Sequence, residues 1–274
     1  MKFDKNRVAY MFSFENIGRK EVLKSIYNLN LVSNYSKEVK EYELELKKKD
    51  ISVISCFENI YPSLLKNIYD YPLVLFTIGD IKLLARSMVT FVGTRNMSEY
   101  GKWCVTYFLN SIKHLDVVVV SGLARGVDGF VHKECLRLGL DTVAVVAGGI
   151  DIGFPKSNKY LYDEISKKGL IISEFPPKRK VVKGMFPYRN RILAGLSLVT
   201  VVIESSERGG SLITAQLALE YGRDVFCVPC NINKFTSQGC NMLIEQGANP
   251  LFSDSQIVET VEKHIGSLYK EVGA

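Results

Sequence analysis

The sequence lacks the features of a membrane or secreted protein. Its longest apolar runs, such as VVVV at 117–120, fall far short of the roughly 20 residues that span a bilayer. The polar start MKFDKNRVAY has no apolar stretch behind basic residues, so we predict no secretory leader. We therefore expect a cytoplasmic protein that makes no membrane contact and whose six cysteines are reduced thiols.

The sequence also lacks the common catalytic and metal-binding motifs. It contains no G-x-x-x-x-G-K-[ST], no H-E-x-x-H and no G-x-S-x-G. Cys227 and Cys230 form a C-x-x-C, with Cys240 following, but one such pair supplies half of the ligands that a structural zinc needs. We favour packing roles for these cysteines over a metal or disulfide role. We predict no catalytic residue, no metal and no cofactor.

What the sequence does have is the composition of a globular protein and a mildly basic charge. Its 274 residues are 47% hydrophobic and 23% charged, and the formal net charge of +6 permits a polyanionic partner without requiring one. This length suggests about two domains. We assign 1–70 to a small helical domain, with two short helices between Val8 and Asn30, and 71–274 to a second domain. The charged stretch at 37–50 is a solvated helix or a linker.

In the second domain, short β-branched runs alternate with amphipathic stretches. Strands are predicted at 88–93, 117–122, 142–148, 170–173, 198–204 and 224–230. Helices are predicted at 98–114, 126–139, 157–168, 209–222 and 237–247. Several strands are apolar on consecutive residues, as expected where helices cover both faces of a sheet. The pattern predicts an α/β fold with a doubly wound, mainly parallel sheet that binds ligands at the carboxyl ends of its strands.

Five loops at that predicted edge carry small, polar and basic residues. They contain Gly93, Thr94 and Arg95; Ser121, Gly122 and Arg125; Phe154, Lys156, Asn158 and Lys159; Arg189, Asn190 and Arg191; and Gly209, Gly210 and Ser211. Backbone N–H groups where a loop enters a helix favour an anion, and arginine adds a bidentate phosphate contact. We expect Arg189 and Arg191 just before an apolar helix. Any one of these loops is equally well explained as a solvated surface turn, but the five together favour a phosphate-binding edge.

The motifs together resemble the DNA-processing protein A (DprA, also called Smf) family of bacteria. The resemblance rests on GTRNMSEYG, SGLARGVDGFVH, AGGIDIGFPKSN, FPYRNRILAGLS and GGSLITAQLALEYG, and it covers about residues 57–253. It implies an extended Rossmann-like domain that binds single-stranded DNA without sequence preference and is not an enzyme. It also implies a homodimer that displaces the single-strand binding protein and loads the recombinase RecA onto incoming DNA in natural transformation. The N-terminal segment is similar to the family's small SAM-like helical domain, and we expect no C-terminal winged helix.

The resemblance also implies roles for particular residues. The family's phosphate-binding arginine falls on Arg95 and its basic pocket residue on Lys156, while the FPxRNR and GGS residues line or support the same pocket. Phe154 or Tyr188 is then available to stack a base without sequence preference. Thr94 and Cys230 depart from the family's usual serine and glycine. The predicted DNA-binding residues are Gly93, Thr94, Arg95, Ser121, Gly122, Arg125, Phe154, Lys156, Asn158, Lys159, Arg189, Asn190, Arg191, Gly209, Gly210 and Ser211.

Two enzyme classes compete with this interpretation. GGSLITAQLALE loosely resembles the Gly-Gly-x-Gly-Thr-x-x-Glu turn of Rossmann-like nucleotide phosphoribohydrolases, and we keep this hydrolase as the alternative. Its glutamate, however, is displaced to Glu220, nearly two helical turns beyond Thr214. An NAD-dependent oxidoreductase needs a dinucleotide fingerprint and an acid at the second strand end, where Ser121 stands instead. We therefore exclude the oxidoreductase.

Overall fold

The fold is organised around one mainly parallel sheet. The computed structural model describes residues 5–11, 13, 37–235 and 237–272, with side chains up to residue 266. In this part of the chain the strands are β1 (Ser52–Ser55), β2 (Val74–Gly79), β3 (Met88–Val92), β4 (Val118–Ser121), β5 (Thr142–Val145), β6 (Leu170–Ser173), β7 (Val199–Val202), β8 (Asp224–Cys227) and β9 (Asn249–Pro250). Their order is β1-β2-β6-β5-β4-β3-β7-β8-β9. Only the pairings of β2 with β1 and with β6 are antiparallel among these strands.

Helices cover both faces of the sheet. They are α1 (Lys5–Tyr10), α2 (Lys37–Lys48), α3 (Ser63–Lys66), α4 (Glu99–Ile112), α5 (Val127–Leu138), α6 (Lys159–Lys168), α7 (Met185–Leu196), α8 (Gly210–Glu220), α9 (Gln238–Glu245) and α10 (Asp254–Val272). One buried cluster joins the sheet to α4, α5 and α10. A second cluster joins it to α6, α7, α8 and α9. The predicted doubly wound, mainly parallel α/β fold is therefore confirmed.

The five predicted helices of the second domain lie within two residues of α4, α5, α6, α8 and α9 at each end. Two expectations need correction. Arg189 and Arg191 lie inside α7 rather than before a helix. The charged stretch at 37–50 is neither a linker nor fully solvated, because α2 buries Val39, Tyr42 and Leu46.

The N-terminal part of the chain is joined to the sheet. The sheet begins at Ser52, inside the segment assigned to the small helical domain, and α1 packs against β1 and α2. The predicted division at residue 70 stays a prediction. Most of the segment between Val8 and Asn30, where two helices are predicted, lies outside the described part of the chain, namely residues 12 and 14–30.

The described part of the chain holds no helix with the length and hydrophobicity to cross a bilayer. Its cysteines are free thiols, and no group of three potential metal ligands occurs among the residues that the structure describes. Cys227 and Cys240 are buried and Cys230 is half-buried. Burial raises the pKa of all three thiols, which fits the packing role that we favoured.

The strand order creates a crevice beside β3. From β3 the chain proceeds outward through β4 and β5 to β6, and then returns to place β7 on the other side of β3. The loops after β3 and β7 therefore lead away from each other at the carboxyl edge of the sheet. Doubly wound sheets bind ligands at this kind of switch point.

Candidate nucleic-acid interface

A cavity of about 330 Å³ opens at this switch point. The loops after β3, β4 and β7 and one side of α7 enclose it. It is lined by Val92, Gly93, Thr94, Arg95, Ala124, Asp128, Phe186, Arg189, Asn190, Leu193, Gly209, Gly210, Ser211 and Thr214. Eight residues of the predicted site thus meet around one space. A neighbouring cavity of about 90 Å³ shares Arg95 and brings in Gly122, Arg125 and Phe154.

Buried Glu204, at the end of β7, holds the turn that carries Arg95. The Glu204 carbonyl accepts a bond from the Thr94 N–H (2.7 Å), and its carboxylate accepts bonds from the Ser98 N–H (2.9 Å) and the Ser98 hydroxyl. Ser98 in turn caps α4 by accepting from the Gly101 N–H (3.1 Å), as expected of serine at a helix start. The Arg95 side chain stays exposed, with its guanidinium 5.4 Å from the centre of the Phe186 ring.

Arg189 supplies a buried cation to the same cavity. Only 5% of the residue is exposed, and its guanidinium donates to the Val145 carbonyl (3.2 Å) while lying 3.9 Å from the Asp128 carboxylate. A Cβ on Gly122 would lie 1.5 Å from a guanidinium nitrogen, so only glycine leaves room there. Burial lowers the pKa of Arg189, and the charge of Asp128 opposes that shift.

Asp128 joins two of the loops around the cavity. Burial raises the pKa of its carboxyl, and this shift is opposed by Arg189 and by hydrogen bonds from the backbone of Gly93, Ala124 and Gly122. The carboxylate therefore holds the loop after β3 against the loop after β4. Sequence reasoning missed this residue. An acid in the first turn of a helix, directly after a glycine-rich loop, was the available signal.

The first turn of α8 forms the opposite wall. Gly209, Gly210 and Ser211 line the cavity there, and the Asn190 side-chain amide donates to the Gly210 carbonyl (3.2 Å). The Ser211 hydroxyl donates to the Ser205 hydroxyl (2.8 Å), which fixes the turn. The positive end of the α8 dipole thus joins Arg95 and Arg189 around one space, an arrangement that suits an anion such as a phosphate.

Aromatic rings lie at the mouth of the smaller cavity. Phe154 is exposed, and its ring centre lies 6.2 Å from that of Phe186 at an interplanar angle of 54°. Arg125 is exposed beside them. Flat rings next to arginines can stack bases of any sequence. Phe186 was also missed from the sequence, although it opens the FPYRNR motif.

Five residues of the predicted site line neither cavity. Lys156 is exposed on a 3₁₀ turn, and Lys159 pairs with Asp163. The Asn158 amide donates to the carbonyls of Leu123 and Ala124 (3.0 and 2.9 Å), so it braces the loop after β4. The last two are Ser121, which is buried with its hydroxyl bonded to the Phe91 carbonyl (2.6 Å), and Arg191.

Arg191 points to a separate cluster of acids. Its guanidinium bonds both carboxylate oxygens of Glu174 (2.6 Å each) and lies 3.1 Å from Asp70. The side chain is 6% exposed. The network ties α7 to the segment after β6 and to the segment before β2. Arg191 therefore supports the wall of the cavity without facing it.

Glu220, the acid that the hydrolase alternative requires, does not line the cavity. It is the last residue of α8, exposed, and accepts a bond from Gln216 (3.3 Å). Six residues of helix separate it from Thr214, the last residue of α8 that lines the cavity, which corresponds to about 9 Å. Cations and a helix N-terminus therefore line the cavity. The carboxylate of Asp128, which also lines it, already interacts with the Arg189 guanidinium and accepts hydrogen bonds from backbone N–H groups.

A family model described as DNA recombination-mediator protein A matches residues 52–262. The chain belongs to this family. It is 41% identical to the DNA processing protein DprA of Bacillus subtilis over 214 residues, which are 78% of this chain and 72% of that protein. It is 40% identical to DprA of Streptococcus pneumoniae over 208 residues, 76% of this chain and 73% of that protein.

Solved structures of the family share the fold. DNA processing protein A from Streptococcus pneumoniae superposes with a TM-score of 0.82 at 34% identity, covering 94% of this chain and 98% of that chain. The protein from Helicobacter pylori, whose structure was solved for its mode of single-stranded DNA binding, gives a TM-score of 0.71 at 30% identity over 78% of this chain and 96% of that chain. The predicted family membership is therefore confirmed.

Proposed function

We propose that this protein binds single-stranded DNA, without sequence preference, at the switch-point cavity. The observation that carries the proposal is the convergence of Arg95, Arg189 and the N-terminus of α8 on one space of about 330 Å³. Membership of a family of DNA recombination mediators supports it, as does the single-stranded DNA binding of the Helicobacter pylori relative.

Each element of the cavity takes a defined role in this proposal. Arg95 and the first turn of α8 hold a backbone phosphate, because both present positive charge and N–H donors. Phe154 and Phe186 stack bases. Arg125 and Lys156 extend the basic surface outside the cavity. Ser121, Asn158, Arg189 and Arg191 position the loops, Asn158 and Arg191 through the contacts described above.

The biological role that we propose follows the family resemblance. The protein acts as a homodimer in the cytoplasm, displaces the single-strand binding protein and loads RecA onto incoming DNA during natural transformation. Binding and handover require no bond to be made or broken, so the proposal assigns no catalytic residue and no cofactor.

Fluorescence anisotropy of labelled oligo-dT at several salt concentrations tests the DNA-binding site. We expect Arg95→Ala to weaken binding and to reduce the slope of log K against log salt by about one, because one phosphate contact is lost. Lys133→Ala is the matched control: Lys133 is exposed on α5 and lines neither cavity. Equal slopes for wild type and Arg95→Ala would contradict the site.

The mediator role needs its own assay. RecA filament formation is followed on single-stranded DNA coated with the single-strand binding protein, with and without the protein. We expect acceleration by the wild type and none by Arg95→Ala. If the wild type binds DNA tightly yet does not accelerate filament formation, the loading role is wrong while the binding site stands.

A further inference from the structure

A row of aromatic rings on α4, exposed at Tyr100 and Trp103 and half-buried at Tyr107, is not used by the site described so far. Tyr100, Trp103 and Tyr107 follow one another along one side of the helix, and we call them the aromatic ridge. The ring centres of Tyr100 and Trp103 are 6.3 Å apart with planes 14° from parallel, and those of Trp103 and Tyr107 are 4.9 Å apart with planes 10° from parallel. Trp103 is 58% exposed. Large exposed aromatics in a row mark an interaction surface.

The ridge begins at the same edge of the sheet as the cavity. The Tyr100 hydroxyl donates to the carbonyl of Pro229 (3.1 Å), two residues beyond the end of β8. α4 itself starts four residues after Arg95, and Glu204 bonds both Thr94 and Ser98. The start of the ridge and the Arg95 turn are therefore held in one rigid arrangement.

The size of the cavity requires contacts elsewhere. A volume of about 330 Å³ is at the lower end for a drug-sized ligand, so it takes roughly one nucleotide. The rest of a bound strand must leave over the rim. Proteins that bind single strands without sequence preference stack successive bases on aromatic rings beside positive charge. The ridge offers such rings; Lys102 beside them pairs with Glu99 on the same helix, so the positive charge on this path comes from Arg95.

We propose that the aromatic ridge is a second subsite for single-stranded DNA, on which bases stack after the strand has passed Arg95. This inference rests on the proposed function, because it extends the same DNA path. Trp103 and Tyr107 already stack on each other, and a base of any identity can extend such a stack, since every base has a flat π face. Only a strand that fills the cavity and continues well beyond its rim, past Arg95 and along α4, reaches the ridge.

Trp103 is the single tryptophan of the chain, so its fluorescence reports the ridge directly. The wild-type protein is titrated with a thymidine trinucleotide and with an oligo-dT of about 20 nucleotides. We expect the long oligonucleotide to quench Trp103 and the trinucleotide to bind without quenching. This measurement needs no variant and so does not depend on the folding of one.

Variants then measure what the contact contributes. We expect Trp103→Ala to bind the long oligonucleotide about tenfold more weakly and the trinucleotide as the wild type does. Trp103→Phe keeps a ring and should retain most of the affinity. Phe57→Ala is the matched control, because Phe57 is 54% exposed and follows β1, at the other end of the sheet.

The outcomes separate the ridge from the cavity. Tight binding that depends on Arg95, with no quenching and no effect of Trp103→Ala, overturns the ridge and leaves the proposed function intact. In that case a change of Trp103 fluorescence on adding RecA alone would assign the ridge to a protein partner instead. If neither oligonucleotide binds the wild type, the proposed function fails together with the ridge.

Discussion

At the scale of single residues, the geometry of the site depends on neighbouring side chains that fix the positions of its two arginines. Arg95 is exposed and available to a ligand, but the turn that carries it is fixed by Glu204. Arg189 is buried against Asp128 and shapes the floor of the cavity. We therefore expect substitutions of the holding residues to change binding by changing geometry.

Gly122→Ala tests this expectation. The added methyl would lie 1.5 Å from the Arg189 guanidinium and 2.5 Å from the Asp128 carboxylate, so the pair must move. We expect a loss of about 2 kcal/mol in the free energy of unfolding, as for an overpacked core, together with weaker oligo-dT binding. Urea denaturation and anisotropy measure the two effects. Gly184→Ala is the control, since nothing lies within 4 Å of its Cβ position. Wild-type values for Gly122→Ala would contradict the packing argument.

His132 predicts a pH dependence of stability. Burial lowers its pKa from 6.5 to about 3, and its Nδ1 lies 2.8 Å from the Thr142 hydroxyl. Between these two pH values the unfolded chain carries a proton that the folded protein does not. The free energy of unfolding therefore falls as the pH is lowered, by up to about 1.4 kcal/mol per pH unit from this residue.

His132→Asn isolates that contribution, because an amide can still bond Thr142 but does not titrate. Urea denaturation of both proteins between about pH 6 and pH 4 should give a flatter pH dependence for the variant. Parallel curves would mean that the histidine is protonated in the folded protein.

Sequence reasoning was informative at the residue scale where the residues follow a strand. Gly93, Arg95, Gly209 and Ser211 meet at one cavity because parallel strands end at a common edge. The orientation of Arg191 could not be predicted, because it depends on acids 17 and 121 residues away in the chain, at Glu174 and Asp70. Whether the predicted residues contact DNA stays a prediction.

At the scale of elements, α7 both lines the cavity and ties it to two other segments of the chain. One side of the helix lines the cavity through Arg189 and Asn190, and Arg191 on another side bonds the acids of two other segments. The sequence predicted an apolar helix only after Arg191, so it missed the first half of α7. It starts without a side-chain cap and carries Pro187 in its first turn, where proline is tolerated, so it forms by packing rather than by local signals.

Arg191→Ala should therefore destabilise the fold. It leaves two carboxylates beside a buried position, and we expect a loss of about 3 kcal/mol in the free energy of unfolding. Urea denaturation measures this loss. Lys168→Ala, which breaks an exposed pair with Glu164 on α6, should change stability little. A stable Arg191→Ala variant that has lost oligo-dT binding would show instead that Arg191 contacts the DNA.

The elements that sequence reasoning missed lie mainly before residue 88. β1 and β2 are both antiparallel to their neighbours, so the alternation of strand and helix that predicted the rest does not apply to them. β2 reads VLFTIG, an apolar run that periodicity alone does not separate from a buried helix.

At the scale of the whole molecule, exposed apolar residues lie in the segments that follow β8 and β9. Ile232, Phe235 and Phe252 are exposed there, Phe252 by 72%. The proposed homodimer would cover such a surface. We expect the wild type to sediment at twice the 30.8 kDa chain mass and Phe252→Asp to shift it toward the monomer.

Phe57→Asp changes a similarly exposed ring at the other end of the sheet and should leave the mass unchanged. A wild type that is monomeric over the same concentration range would show that the homodimer prediction is wrong.

The ends of the sheet have a consequence for how the protein behaves when it is crowded. β9 is two residues long and ends in Pro250, which has no N–H to donate, and α1 packs against β1 at the other end. Short, blunted or covered edge strands give an incoming strand few groups to pair with. In the proposed function many copies meet on one DNA molecule, and such edges give them little opportunity to join sheet to sheet into aggregates.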